Sequence, residues 1–434
     1  GGHWKFKQAS GPSYLPSFVK GLYKNVQVYW NYRDVLSSLF AHVNKAASSL
    51  DDLYSLLNGG EWYKTPEDAW KAIDLDRYLN VNFSQFYRNE VSSTSTRLLT
   101  ELSTAVNRVN YNHATSELPA LVGLVSHVPL VSGDLFALKE GNSALPRALI
   151  DSTSATLYLN TRVSLVVFNP TTKTFTLYNG DGKRLGVKGG YAKVVLATPW
   201  IQSRGIEFKI PSNVDPSVLL PMYFDNGGNF DDIDDVKTLT TTPFETENTE
   251  TPYMQTVTTF VKSRVGVNGD LFGEEGESSL PTSIYFAYDD ETELYGDYDI
   301  FSITLIRDGL YKVFSARPLP EEELVRVFGE GAEAAASQVW GSTERGVGGG
   351  SGVFPGGAYP NFAPALKAKP PSTAFKIFKE GVFYPTAFET TGSAMELAAI
   401  GAKNVANMII FEVAEGDKKR NKSGSASRGK VDEL

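Results

Sequence analysis

The side chains that most often carry reactions are sparse in this 434-residue chain. It has no cysteine, which removes thiol nucleophiles, thiolate zinc sites and disulfide frameworks. The four histidines, His3, His42, His113 and His127, show no HExxH-type or paired-ligand spacing, so each is expected on the surface or as a satisfied core residue and no metal site is expected. Gly346-Val347-Gly348-Gly349-Gly350-Ser351-Gly352 has the glycine content of a phosphate-binding loop. Its sixth position is Ser351 and no Lys-Ser/Thr pair follows, so it reads as a flexible loop. Residues 225–250 are acidic and Thr-rich without EF-hand spacing, and read as a solvated loop rather than a calcium site. The most informative segment is Ser393-Ala394-Met395-Glu396, which has the form of a capping box. It opens a helix whose face of Met395, Ala398, Ala399, Ala402, Val405, Ala406 and Ile409 is mostly small, so something must approach it closely. Plain packing on a sheet is the first reading. The other is that the free N–H groups and helix dipole near residues 392–394 face an electron-rich cofactor edge.

Other elements must position that helix. Residues 16–112 read as a helical layer: Phe18, Leu22, Val26 and Tyr29, then Val35, Leu36, Leu39, Phe40 and Val43, recur at three- and four-residue steps. Thr65-Pro66-Glu67-Asp68 is a helix start, and Leu98, Leu102, Ala105, Val106 and Val109 form a further amphipathic helix. From about residue 155 the period becomes two. Strands are expected at 157–159, 163–168, 174–178 and 193–197, in an antiparallel meander turned by Asn169-Pro170 and Asn179-Gly180-Asp181-Gly182. A second zone has strands at 255–261, 283–288, 299–305 and 311–315 and a helix over 320–328.

A net charge of −9 argues against a nucleic-acid partner. The longest apolar stretch, 118–131, is broken by Pro119, Ser126, His127 and Pro129 and falls short of the roughly 18 residues a span requires, so no transmembrane segment is expected. The opening Gly1-Gly2-His3-Trp4 predicts a fragment or processed form of a longer precursor. Residues 418–430 are polar and end in Val431-Asp432-Glu433-Leu434, one residue from a KDEL-type retrieval address. Together with the sequons at Asn82 and Asn421, this predicts a glycoprotein of the endoplasmic reticulum lumen with a KDEL-type receptor as partner, the lysosome or vacuole being the alternative.

Several segments in order resemble the prenylcysteine oxidase family, also called prenylcysteine lyases, which are FAD-dependent thioether oxidases. They are Arg108-Val109-Asn110-Tyr111, Glu140-Gly141-Asn142, Val195-Leu196-Ala197-Thr198-Pro199, residues 256–262, Ala358-Tyr359-Pro360, and Glu389 followed by Ser393-Ala394-Met395-Glu396. Departures are Asn112-His113 in place of Gly-Gln, a single glycine at Gly141, and Ala387-Phe388 before Glu389 in place of Gly-Ile. The family's N-terminal GxGxxG strand-turn-helix, the grip on the ADP half of FAD, has no counterpart in this sequence.

The resemblance implies an α+β or α/β chain: the C-terminal part of a flavin amine-oxidase-like FAD fold, an incomplete Rossmann-type domain, joined to a helical and mixed β-sheet substrate domain. Its divisions would be a helical cap at 1–125, an FAD-domain portion with the meander at 126–210, and a β-rich substrate domain at 211–340. A Gly/Pro-rich connector at 341–372, an FAD-domain strand and helix at 373–413 and a flexible tail at 414–434 would follow. Implied FAD contacts are Gly141, Asn142, Val163, Glu389, Ser393, Ala394 and Met395, with no catalytic side chain named. The implied reaction takes hydride from the carbon beside sulfur in farnesyl- or geranylgeranylcysteine. Water then adds, giving an isoprenoid aldehyde and free cysteine, and oxygen is reduced to peroxide, as part of the breakdown of prenylated proteins. Phe18, Tyr23, Trp30, Phe40, Trp62 and Trp70 are candidate walls of an apolar cleft, with core packing the preferred reading for each. The alternatives are a flavin-free lumenal module that holds isoprenoid or acyl lipid, and another amine-oxidase-type flavin oxidase.

Overall fold

Helix α1 (Ser17–Asn58) turns one stripe inward, with Tyr32, Val35, Leu36, Leu39, Val43, Ala46, Leu53 and Leu57 all buried at helical spacing. The structure is a computed structural model that describes residues 17–132, 137–198, 206–211, 236–239, 253–272, 282–287, 300–340, 359–360, 362 and 374–428. His3, the Gly346–Gly352 loop, most of 225–250, the final four residues and the side chains of Phe18, Leu22, Tyr23, Val26, Tyr29 and Trp30 lie outside the described part. Helix α2 (Pro66–Ala72) starts as its sequence directs: Thr65 accepts the Asp68 N–H at 3.2 Å, and Pro66, Glu67 and Asp68 fill the first turn. Next come the short α3 (Phe83–Phe86) and two wider π-type turns at Tyr87–Val91 and Leu99–Ser103. Helix α4 (Thr104–Tyr111) ends on Asn112, whose φ of +48° asparagine tolerates. The broken apolar stretch folds as α5 (Ala120–Ser132) with Pro129 inside it. Gly123 is needed there, because a Cβ would meet the Phe83 ring at 2.2 Å.

After α6 (Ala144–Asp151), the meander forms as β1 (Val163–Asn169), β2 (Thr174–Asn179) and β3 (Arg184–Leu185). Residues 157–159 form no strand; they are exposed, because no neighbouring strand takes up their backbone groups. Beyond β4 (Val194–Val195), strands β5 (Glu207–Pro211) and β6 (Val236–Leu239) complete a sheet of order β3-β2-β1-β5-β6. Here β5 runs parallel to β1, so the sheet is mixed rather than a pure antiparallel meander. β6 is a strand inside the acidic stretch that the sequence suggested was loop.

Strand β7 (Tyr253–Met254) precedes the second large sheet, built from β8 (Val257–Lys262), β9 (Ser283–Tyr285), β10 (Ile300–Arg307) and β11 (Leu310–Ser315) and covered by α7 (Glu321–Phe328). Its edge is β12 (Glu333–Val339), which the sequence reading missed because alanine favours helix; pairing with β8 overrides that preference. Strand β13 (Tyr359–Pro360) pairs with β7. β14 (Lys376–Phe378) pairs with β15 (Val382–Phe383), which runs parallel to β4.

The last helix, α8 (Met395–Arg428), corrects two expectations. Residues 414–428, expected as flexible tail, continue the helix; Gly416 is the sole glycine before Gly424, and the Glu415–Lys418 pair at 2.9 Å supports the turn. The inward face is Leu397, Ile400, Asn404, Val405, Asn407 and Met408, while Met395, Ala398, Ala399, Ala402 and Ala406 point outward. Both stripes have helical spacing, and the choice follows from Gly401, where a Cβ would lie 1.9 Å from the Pro385 carbonyl oxygen. An 18-residue window within Met395–Gly416 has a mean hydropathy of 1.4, enough by length and composition to cross a membrane, a test that a core helix also passes. In this fold its inner face packs into the main core. Asn404 and Asn407 are satisfied there: Asn404 pairs with the Tyr63 backbone N–H and C=O at 2.8 and 3.0 Å, and Asn407 donates to Leu57 and Glu61 carbonyls at 2.6 and 2.7 Å.

One large core joins α1, α2, α3, α5, β1, β2, β14, β15 and α8, and a second lies between the β8–β11 sheet and α7. A small apolar cluster of Tyr111, Leu118, Val122 and Phe362, with Met254 beside it, is separate from both. The described architecture is α+β.

Candidate functional site

The small cluster forms where three family-like segments converge: the end of α4, the β13 segment and the start of α8. Tyr111, at the last turn of α4, donates its hydroxyl to the Ser393 carbonyl at 2.9 Å and sets its ring edge-on to Phe362, with centroids 5.5 Å apart. Burial pushes its phenol up to about 12, against the opposing effect of the Ser393 carbonyl, so the group stays a donor at neutral pH.

His113 fixes the other side. Its Nε2 accepts the Phe362 backbone N–H at 3.1 Å, which puts the proton on Nδ1, directed at the Tyr111 carbonyl. A neutral imidazole thus ties the segment after β13 to the residues that follow α4. The left-handed turn at Asn112 makes that reach possible. His127 is also buried and neutral: it bonds the Gly123 carbonyl at 2.7 Å and the Ser103 hydroxyl at 3.0 Å, and it stacks on Phe83. Both are satisfied core histidines, as the sequence suggested, and His42 sits edge-on to Phe86.

The chain approaches α8 through a single 3-10 segment, Pro385–Thr390. There Tyr384 hydrogen-bonds Glu389, and the Trp70 indole N–H donates to the Thr391 hydroxyl at 2.8 Å while its ring meets Phe388 at 4.9 Å. Trp70 is therefore core packing that fixes the start of α8, while Phe40 and Trp62 pack partly buried against the same core. Glu396, the acid of the expected capping box, hydrogen-bonds Tyr54.

The seven residues implied as FAD contacts fall in three places. Glu389, Ser393, Ala394 and Met395 lie together at the α8 start, beside Tyr111. Gly141, at φ +86°, and Asn142 occupy an exposed turn leading into α6, which has no buried residue. Val163 opens β1 opposite Asn179. No hydrogen bond joins Gly141, Asn142 or Val163 to Glu389 or Ser393.

Tyr111, His113 and Phe362 were not singled out as site residues from the sequence, although the RVNY run carries the first and the departure from Gly-Gln marks the second. Asn107 was missed as well. It stands one helical turn before Tyr111, on the same side of α4. Its side chain is fully buried, and neither the amide nitrogen nor the oxygen has a hydrogen-bond partner among the described residues. Its polar neighbours are satisfied: Asn110 donates to the Ser126 carbonyl and hydroxyl at 3.1 and 2.9 Å, and Ser103 to His127. The carboxamide lies on the side of α4 that carries Tyr111 and is closed off by protein, so it presents no surface to the edge of a flat ring such as FAD carries. The grip on the ADP half is not supplied by these residues.

Two putrescine oxidase structures, variants from a redesign of cofactor binding, each align with a TM-score of 0.44, covering 85% of this chain and 75% of theirs at 12% and 13% identity. Similarity at that level does not assign a fold. A farnesylcysteine lyase of Arabidopsis thaliana is 23% identical over 316 residues, 72% of this chain and 49% of the relative, so the chain spans about half the length of the curated relative it matches. The prenylcysteine lyase family matches residues 21–222 and 232–422, nearly the whole chain, and the chain belongs to that family.

Proposed function

We propose that this chain is part of an FAD-dependent oxidase that cleaves the thioether of farnesyl- or geranylgeranylcysteine during the breakdown of prenylated proteins. The observation that carries the reading is the meeting of the RVNY segment, the β13 segment and the α8 start at Tyr111, within a chain that matches the family almost from end to end. When bound, FAD would accept two electrons from the substrate and pass them to oxygen as hydrogen peroxide. Loss of hydride from the carbon beside sulfur leaves a cation that both sulfur and the allylic double bond stabilise. Water adds to that carbon, and the thiohemiacetal collapses to an aldehyde and the cysteine thiol.

The chain's own part is to place and enclose. Tyr111 and Trp70 hold the α8 start in position, His113 holds the β13 segment, and Tyr111, Leu118, Val122 and Phe362 exclude water between them. No proton relay from a histidine is required, in keeping with His113 and His127 being committed to backbone and hydroxyl partners.

The full-length protein, given S-farnesylcysteine under air, should release peroxide and free thiol in equal amounts. Peroxide from simple amines without thiol release would indicate an amine oxidase instead. Co-purified lipid with no turnover and no flavin absorbance would indicate a binding module. For location we propose the endoplasmic reticulum lumen, on the Val431-Asp432-Glu433-Leu434 sequence. Imaging with those four residues intact or replaced tests it, and an unchanged distribution would overturn it.

A further inference from the structure

We infer that the end of α8 is a membrane-surface docking element. Ile410, Phe411 and Val413 enter the interfacial layer of a bilayer that contains anionic lipid, and the basic run beginning at Lys418 engages its headgroups. This goes beyond the proposed function, which concerns the reaction and not where the protein meets its substrate.

The first support is the place where α8 leaves the core. Leu397, Ile400, Val405 and Met408 are buried, whereas Ile410, Phe411 and Val413 stand 66%, 50% and 54% exposed. Phe411 is braced by Trp62 from the loop between α1 and α2, with ring centroids 5.4 Å apart. Aliphatic side chains beside aromatic rings of this kind suit the boundary between headgroups and acyl chains. The helix can offer only its end, because Asn404 and Asn407 are bonded to Tyr63, Leu57 and Glu61 and hold its inner face in the core.

The second support is charge. The chain carries a net −9, yet residues 414–430 hold six basic residues against two acids, Glu415 and Asp417. Four of the six, Lys418, Lys419, Arg420 and Lys422, fall within five positions. The backbone stays helical from Val413 through this run, so Lys418 follows Val413 by about 8 Å along the axis. Lys418 is exposed and pairs with Glu415 at 2.9 Å, and Glu412 is turned to Lys193 and Lys376, so the nearest acids on the helix are already matched.

The two features together select the occupant. A nucleic acid would engage the charges and leave three apolar side chains in water. An apolar groove on a protein would cover those side chains and leave the basic excess unused. An anionic bilayer answers both, in the order in which they occur along the helix. It also gives the surface a use, since a farnesyl or geranylgeranyl chain dissolves in bilayers and a docked enzyme meets it there.

The test is co-sedimentation of the full-length protein with vesicles of phosphatidylcholine, with or without phosphatidylserine. Wild type is compared with a serine pair, Ile410→Ser and Val413→Ser, and with a glutamine set, Lys418→Gln, Lys419→Gln, Arg420→Gln and Lys422→Gln. We expect wild type to bind the phosphatidylserine vesicles at least tenfold more tightly than phosphatidylcholine alone in about 0.1 M salt, and to lose that preference in about 1 M salt. The serine pair should weaken binding at least tenfold, and the glutamine set should abolish the preference for phosphatidylserine, both at the wild-type thermal midpoint. Should the serine pair lower the midpoint, the glutamine set carries the test by itself.

Wild type that stays in solution with phosphatidylserine vesicles would overturn the inference, as would binding that survives both sets of substitutions. A protein that ignores vesicles but elutes as a dimer, turned monomeric by the serine pair, would overturn it in favour of a second copy. These outcomes are independent of the proposed function, which is read from peroxide and thiol release.

Discussion

The hydroxyl of Tyr111 reaches the Ser393 carbonyl at 2.9 Å, so two residues 282 positions apart set the distance between α4 and the head of α8. Tyr111→Phe keeps the ring and its contact with Phe362 but leaves the Ser393 carbonyl short of a partner. The expected loss is about 1 kcal/mol of unfolding free energy, read from the urea midpoint. Tyr111→Ala removes the ring as well and should cost about 3–5 kcal/mol. A phenylalanine variant as stable as wild type would mean that the bond does not anchor the helix.

Gly401 and Gly416 lie in the same helix and should respond oppositely to alanine. In a helix interior the exchange gains about 1 kcal/mol from propensity. At Gly416 a Cβ meets nothing within 4 Å, so that gain should appear as a raised thermal midpoint. At Gly401 it would stand 1.9 Å from the Pro385 carbonyl oxygen, which is backbone and cannot step aside. Overpacking of this kind costs about 1–3 kcal/mol, so Gly401→Ala should lower the midpoint. Two shifts of the same sign would refute the packing described for α8.

His127 should make the fold acid-sensitive. Burial pushes its imidazole down to about 4 from the ordinary 6.5, partly opposed by its bond to the Gly123 carbonyl. Between those values the unfolded chain binds a proton that the folded chain refuses, so this contribution is complete above about pH 6.5 and fades as the pH falls toward 4. The whole effect is about 3 kcal/mol. Urea titrations at pH 7.5 and 4.5 should show wild type losing markedly more stability than His127→Gln; parallel losses would exclude this residue as the cause.

Glu412 on α8 receives Lys193 at 2.6 Å and also Lys376, and both ammonium groups lie over the Phe383 ring, 5.7 and 5.5 Å from its centre. Burial pushes the carboxyl up, but the hydrogen bonds and charges of the two lysines outweigh it, and the net shift is below the ordinary carboxylate range. Its stabilising effect is present above the unfolded value and lost as the pH falls through the lower folded one. Because the side chain is 26% exposed, the interaction is partly screened, and Glu412→Gln should cost about 1 kcal/mol in dilute buffer. In 1 M salt the gap should narrow; a gap indifferent to salt would argue for a packing role instead.

The elements whose local chemistry agrees with their tertiary setting were legible from sequence. Thr65 and Pro66 start α2, Asn169-Pro170 turns β1 into β2, and Leu324, Val327 and Phe328 of α7 face the second sheet. The failures occurred where neighbours decide. Ala334 to Ala336 form an edge strand because β8 offers a ladder, and the inner face of α8 was hidden because its alanine stripe and its Leu397–Met408 stripe repeat alike. For the candidate site, Ser393 to Met395 were legible as a helix start, and the RVNY run through resemblance. Asn107 was not legible, since nothing in an isolated sequence shows that an amide is sealed without partners.

Asn407 bonds the Leu57 carbonyl across 350 residues, Asn404 bonds Tyr63 across 341, and Trp70 bonds Thr391 across 321. During synthesis, therefore, α1, α2 and the loop between them are complete long before the α8 segment that matches their end carbonyls and indole. A stalled or truncated nascent chain would hold a helical layer with an open flank, a state for chaperones to guard.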